Sequence, residues 1–106
     1  MPVIVVKTKD AFDAELKNAG SKLVTVDFTA AWCPPCQSIG PKFEALSDEI
    51  TDVVFLKVDV DDNSETAETY NISAMPTFVF FKNGKELERF SGASEEKLRA
   101  TIAKNK

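Results

Sequence analysis

The chain of 106 residues has the length of one compact domain, and its 43% hydrophobic and 28% charged residues are typical of a soluble globular protein. Its formal net charge of −4 gives no electrostatic reason to bind nucleic acid or an anionic membrane. Because the chain has no histidine and two cysteines, Ser-His and Cys-His catalysis are excluded and a structural zinc site would lack two ligands. We expect a single domain over residues 1–106.

The start of the chain is apolar over a few residues only, until Lys7 and Lys9 interrupt it. A secretory signal needs a longer apolar stretch and a cleavage site, and a membrane span needs far more. The sequence therefore predicts a cytoplasmic protein.

Strands and helices alternate in the first part of the chain. Residues 3–6 are rich in β-branched side chains and predict a short strand. Phe12 and Leu16 recur at helical spacing, and Gly20 can end that helix. Residues 23–28 form a mostly apolar run, which is expected of a strand covered on both faces.

The middle of the chain continues the alternation. One helix face is marked by steps of four, three and four residues between Ile39, Phe43, Leu46 and Ile50. Residues 53–58 predict the next strand, and a short helix follows over residues 64–70. Asn63 or Ser64 is suited to cap that helix.

The last third predicts a hairpin and a final helix. The hairpin strands cover residues 77–82 and 86–90, and Asn83-Gly84 between them is a strong signal for a tight turn. Ser94 can cap the last helix, and Leu98 would face the core. The order βαβαβαββα predicts an α/β fold: a mixed sheet with helices on both faces, parallel at the front and antiparallel at the end.

The two cysteines lie in the segment 32–36, Trp-Cys-Pro-Pro-Cys, between a buried strand and a helix. At the start of that helix, unpaired N–H groups and the helix dipole stabilise a Cys33 thiolate, the attacking species. Cys36 lies one turn further on, close enough to resolve a mixed disulfide. A structural bridge across four residues would add little stability. The other interpretation is a pair of inert buried thiols.

Asp27 is a carboxylate in an otherwise apolar strand, so desolvation should raise its pKa. Strand alternation groups it with Thr25 and Thr29 on one face. If that face lies beneath the Cys36 helix, Asp27 can accept the Cys36 proton. The alternative is a satisfied buried acid with no catalytic part. Lys57 is either its partner or a lysine exposed at a sheet edge.

Several motifs occur in an order that resembles the thioredoxin family across essentially the whole length of the chain. They are Val26-Asp27-Phe28, Ala31-Trp32-Cys33, Pro35-Cys36, Pro41, Lys57-Val58-Asp59, Met75-Pro76-Thr77-Phe78, Asn83-Gly84 and Phe90-Ser91-Gly92-Ala93. The segment 91–93 followed by residues 96–98 is similar to the animal cytosolic branch.

The resemblance implies the thioredoxin fold, a central mixed five-stranded sheet flanked by four helices. It implies that Cys33 is the exposed nucleophile and Cys36 the resolving thiol, and that the two form the redox-active disulfide. It further implies that Asp27 is the buried proton acceptor, with Lys57 near it, and that the peptide bond before Pro76 is cis.

The same resemblance implies how substrates bind. A shallow apolar groove would hold an extended substrate segment through backbone hydrogen bonds. The residues expected to border this groove are Trp32, Pro34, Pro35, Met75, Pro76, Gly92 and Ala93.

The resemblance also implies a function and partners. We expect a monomeric protein-disulfide reductase that maintains cell redox homeostasis and holds no bound cofactor or metal. Electrons would come from NADPH through thioredoxin reductase, and the substrates would be disulfide-containing proteins such as peroxiredoxins. Neither nucleic acid nor a membrane is an expected partner.

Pro34 departs from the family pattern, which usually has glycine at this position. Cys-Pro-Pro-Cys is typical of tryparedoxins, longer relatives that a dithiol reduces. Pro34 lacks an N–H group near Cys33, and the following Pro35 disfavours helical geometry at Pro34. Two alternatives stay open: a tryparedoxin-like or more oxidising dithiol carrier, and a non-catalytic binding module that uses the groove.

Overall fold

Five strands and four helices make up the computed structural model, which describes residues 3–106. Their order confirms the predicted βαβαβαββα arrangement. The elements are β1 (Ile4–Val5), α1 (Lys9–Ala19), β2 (Val24–Thr29), α2 (Pro34–Glu49), β3 (Val54–Asp59), α3 (Ser64–Thr69), β4 (Thr77–Lys82), β5 (Lys85–Ser91) and α4 (Glu95–Asn105).

The strands form one mixed sheet in the order β1-β3-β2-β4-β5. The pairs β1/β3 and β2/β3 are parallel, whereas β2/β4 and β4/β5 are antiparallel. Strand β2 is therefore central, which explains why all six of its residues are buried. This sheet with its four helices is the α/β architecture that was predicted.

The two faces of the sheet carry separate apolar clusters. On one face, β2 residues Val24, Val26 and Phe28 pack with Phe12 and Leu16 of α1. The opposite face packs against α2 and α4. Its buried members are Leu23, Ile39, Phe43, Leu46, Val53, Phe55, Phe78, Phe80, Leu98 and Ile102. Asp27 alternates with the first group, so its side chain points to the α2 face.

The predicted caps and turn are confirmed. The Ser94 hydroxyl accepts a hydrogen bond from the Lys97 N–H, and the Asn63 side chain caps α3. Asn83 and Gly84 both have positive φ, at 55° and 77°, as a tight hairpin turn requires. Capping satisfies first-turn N–H groups that have no partner within a helix.

The predicted element ends differ from the structure by one or two residues. Strand β1 is two residues long, shorter than the predicted 3–6, because it pairs only with β3 at the edge of the sheet. Strand β5 extends to Ser91, since Ser91 lies opposite Thr77 in the ladder. Within residues 3–106, no helix combines the length and apolar character that a membrane crossing needs.

Candidate active site

Cys33 and Cys36 lie where β2 leads into α2, and their sulfur atoms form a disulfide with Cα atoms 5.3 Å apart. Cys33 is the N-cap of α2, with an extended backbone. The Cys36 N–H lies 3.3 Å from Cys33 Sγ and donates to it. The helix start therefore directs an amide donor at the first sulfur, as the sequence predicted.

Pro34 and Pro35 are the first two residues of α2. Pro34 is helical even though the following Pro35 disfavours that geometry at the residue before it. The first helical positions suit the fixed φ of proline, and their missing N–H groups would have had no partner within the helix. As a consequence, Cys36 supplies the first amide N–H of α2 after the cap.

The expectation that Cys33 is exposed is also wrong for the disulfide form. Cys33 is 3% exposed and Cys36 is 2% exposed, so burial does not distinguish the two cysteines. The reason is packing, because the pair forms a cluster with Ala30 against which Val60 and Met75 lie.

Met75 and Pro76 approach the cysteines from the loop before β4. The peptide bond between them is cis, as the resemblance implied. Cys33 Sγ lies 3.6 Å from the carbonyl oxygen of Met75. The Gly92 N–H donates to the Pro76 carbonyl at 3.0 Å, which joins the loop to the end of β5.

The residues expected to border a substrate groove differ in exposure. Trp32 is 65% exposed, and Pro34, Pro35, Gly92 and Ala93 are also exposed. Met75 is half-buried and Pro76 is buried, so these two present less surface than the other five.

Asp27 is 1% exposed and lies on the sheet face that α2 covers. Burial raises the pKa of its carboxyl to about 7, and the positive charge of Lys57 opposes that rise. Within the described chain, its Oδ1 atom has no hydrogen-bond partner. A carboxyl with a pKa near neutrality can exchange a proton under physiological conditions.

Lys57 lies beside Asp27 in the parallel β2/β3 ladder and is half-buried. Strand β3 lies between β1 and β2, so the alternative of a lysine at a sheet edge is wrong. Among residues 3–106, no ion pair within 4.0 Å joins Lys57 to Asp27. Lys57 thus acts on Asp27 through its charge at longer range.

Comparisons with known proteins agree with this geometry. The family model described as Thioredoxin matches residues 3–104. The chain belongs to the thioredoxin family.

Individual relatives cover almost the whole chain. It is 57% identical to a thioredoxin of Geodia cydonium (94% of this chain, 95% of the relative) and 53% identical to one of Ictalurus punctatus (98% and 99%). The solved structure of Fasciola hepatica thioredoxin superposes with a TM-score of 0.97 at 51% identity, covering 98% of this chain and 100% of that one. This member of the thioredoxin family is a thiol–disulfide oxidoreductase with dithiol–disulfide redox chemistry at Cys33 and Cys36.

No group of three or more His, Cys, Asp or Glu side chains in residues 3–106 is arranged to hold a metal ion. Two residues at this thioredoxin-family site were not identified from the sequence. Gln37 donates from Nε2 to the Ala30 carbonyl at 3.2 Å and so ties α2 to the preceding turn. Asp61 accepts a hydrogen bond of 2.9 Å from the indole N–H of Trp32.

The Asp61 contact is braced from its own loop, because Asp59 Oδ1 accepts the Asp61 N–H at 2.9 Å. No sequence signal marked the Trp32–Asp61 pair, because 29 residues separate the two. The hydrogen bond holds an exposed aromatic ring next to Cys33 in one orientation, whereas an exposed ring without such a bond exchanges among rotamers.

We expect Asp61→Ala to release the Trp32 ring, whereas Asp61→Asn keeps an oxygen acceptor and retains the bond. Because Trp32 is the single tryptophan of the chain, its fluorescence anisotropy and acrylamide quenching report on this ring alone. Asp61→Ala should increase quenching and leave the thermal midpoint within a few degrees, since the bond is exposed. Equal quenching in both variants would contradict the tether.

Proposed function

We propose that residues 1–106 act as one thioredoxin domain that reduces disulfide bonds in other proteins. The observation that carries this proposal is the arrangement of the cysteines: Cys33 caps α2, and Cys36 lies one turn inside and can bond to it. Cys33 is the proposed nucleophile and Cys36 the proposed resolving thiol.

In the first step, the Cys33 thiolate attacks one sulfur of a substrate disulfide. A bond forms between Cys33 Sγ and that sulfur, the substrate S–S bond breaks, and the second substrate sulfur leaves as a thiolate. The Cys36 N–H and the positive end of the α2 dipole stabilise the Cys33 thiolate before the attack.

In the second step, Cys36 attacks Cys33 Sγ, which frees the substrate and closes the Cys33–Cys36 disulfide. Two electrons have then passed to the substrate. Cys36 must lose its proton to attack, and we propose Asp27 as the acceptor because it lies on the face that α2 covers and has a pKa of about 7. Lys57 would favour the charged form of Asp27.

Substrate binding is proposed at the surface that Trp32, Pro34 and Pro35 border on one side. We propose that Met75, Pro76, Gly92 and Ala93 border it on the other side. The Gly92 N–H is already bonded to Pro76, whereas within the described chain the N–H groups of Met75 and Ala93 have no partner. These two groups are available to an extended substrate backbone.

The electron source and partners follow from the family. We propose that thioredoxin reductase passes electrons from NADPH to the Cys33–Cys36 disulfide, and that substrates include peroxiredoxins. We also propose a monomer of the animal-like branch that works in the cytoplasm in redox homeostasis.

The test is turnover of a disulfide-bonded protein with two electron sources in parallel. We expect reduction with NADPH and thioredoxin reductase at a rate comparable to that with a small dithiol. Turnover with the dithiol alone would favour a tryparedoxin-like carrier, and binding without turnover in either assay would favour a binding module. Neither alternative is favoured by the near full-length identity to thioredoxins.

A further inference from the structure

Among residues 3–106, two polar atoms in the core between β2 and α2 have no hydrogen-bond partner: Thr25 Oγ1 and Asp27 Oδ1. Thr25 is 0% exposed and Asp27 is 1% exposed. A buried hydroxyl or carboxyl without a hydrogen bond costs free energy, and a single polar group between the two atoms would satisfy both.

The two side chains lie on the same face of β2. Thr25 is two residues before Asp27, and side chains two apart on a strand project in the same direction about 6.6 Å apart. Neither hydrogen-bonds to the other in the structure. One water molecule with bonds of about 2.8 Å on each side spans most of that separation.

The remaining polar side chain on this face of β2 is Thr29, which lies two residues beyond Asp27 and is 5% exposed. Thr25 lies opposite Phe55 on β3 and Phe80 on β4, and Asp27 lies opposite Phe78 on β4. The charged or titratable groups near Asp27 are Lys57 on β3, whose charge acts on the carboxyl, and Cys36 on the overlying α2. No charged group of the described residues forms an ion pair with Asp27.

We propose that Thr25 and Asp27 share one internal water molecule, which accepts the Thr25 O–H and donates to Asp27 Oδ1. Thr25 is then a positioning residue, because it holds the water molecule whose O–H donates to the Asp27 carboxylate. Buried waters of this kind bond to otherwise unsatisfied polar groups. This inference deepens the proposed role of Asp27 as proton acceptor and rests on it.

The test measures the pKa of Asp27 by carbon-13 NMR of its carboxyl in the full oxidised chain. In the disulfide form neither cysteine titrates, so the curve belongs to Asp27 alone. Thr25→Val keeps the β-branched shape and removes the hydroxyl, and we expect it to raise the pKa by about one pH unit, or about tenfold in the ionisation constant. Thr25→Ser keeps the hydroxyl and should return the pKa to near its original value.

Lys57→Met is the positive control, because loss of its charge must raise the Asp27 pKa if the titration senses neighbours. An unchanged pKa in Thr25→Val, or an equal rise in Thr25→Ser, would overturn the shared water. Turnover of the unmodified chain is measured alongside. If the unmodified chain turns over normally and Thr25→Val leaves the Asp27 pKa unchanged, only this inference is refuted. If the unmodified chain does not turn over, the proposed function is refuted.

Discussion

Cys33→Ser should abolish disulfide reduction, whereas Cys36→Ser should capture substrates and fail to release them. Without Cys33 no sulfur lies at the helix cap, and we expect turnover to fall by at least ~10³-fold. Without Cys36 the first step still occurs, but no second thiol can displace the substrate. The mixed disulfide should then accumulate in a 1:1 ratio and be visible by intact mass.

The matched control is Ser38→Ala, an exposed change within the same helix that should leave turnover and folding unchanged. Alkylation of the reduced protein at neutral pH gives an independent measurement. Cys33 should react before Cys36, because it is the sulfur that receives the Cys36 N–H. Full activity in both serine variants would exclude the proposed division of roles.

The fold was predictable because its signals are local. Asn83-Gly84 sets a turn by backbone conformation alone, and Ser94 caps a helix through a bond to a residue three positions away. The alternation along β2 likewise fixed which face Asp27 shares with Thr25. Each of these features depends on residues within a few positions in the chain.

The parts of the site that were missed depend on distant segments. Cys33 is buried because Val60 and Met75 pack beside it, and no local pattern near residue 33 encodes those neighbours. The Trp32–Asp61 bond joins the turns that follow β2 and β3. Lys57 could be proposed as the neighbour of Asp27, but the register that aligns them is a property of the assembled sheet.

Asp27→Asn should stabilise the folded protein, and more at pH 8 than at pH 4. Burial raises the Asp27 pKa from 3.8 to about 7. At low pH Asp27 is protonated in both the folded and the unfolded state, so its ionisation does not change the free energy of unfolding. Between about pH 4 and 7 the unfolded chain ionises first, and the free energy of unfolding falls as pH rises.

Above pH 7 the ionised Asp27 lowers the free energy of unfolding by its full amount. The pKa difference puts that amount at about 4 kcal/mol as an order of magnitude. Urea unfolding of the oxidised protein at pH 4, 6 and 8 measures it. Asp48→Asn is the control, because it makes the same carboxyl-to-amide change at an exposed position of α2. A gain that is equal at all three pH values would contradict a buried carboxyl with a raised pKa.

The same substitution separates stability from catalysis. If Asp27 accepts the Cys36 proton, Asp27→Asn slows release of the mixed disulfide and leaves its formation unchanged, because Cys33 does not depend on that carboxyl for the first attack. General-base assistance is typically worth about 10²-fold or more, so stopped-flow release at pH 7 should slow by about that factor. Raising the pH should partly restore the variant, since bulk base then deprotonates Cys36. A variant that is more stable yet releases substrate at the original rate would mean that the buried carboxyl costs stability without serving the reaction.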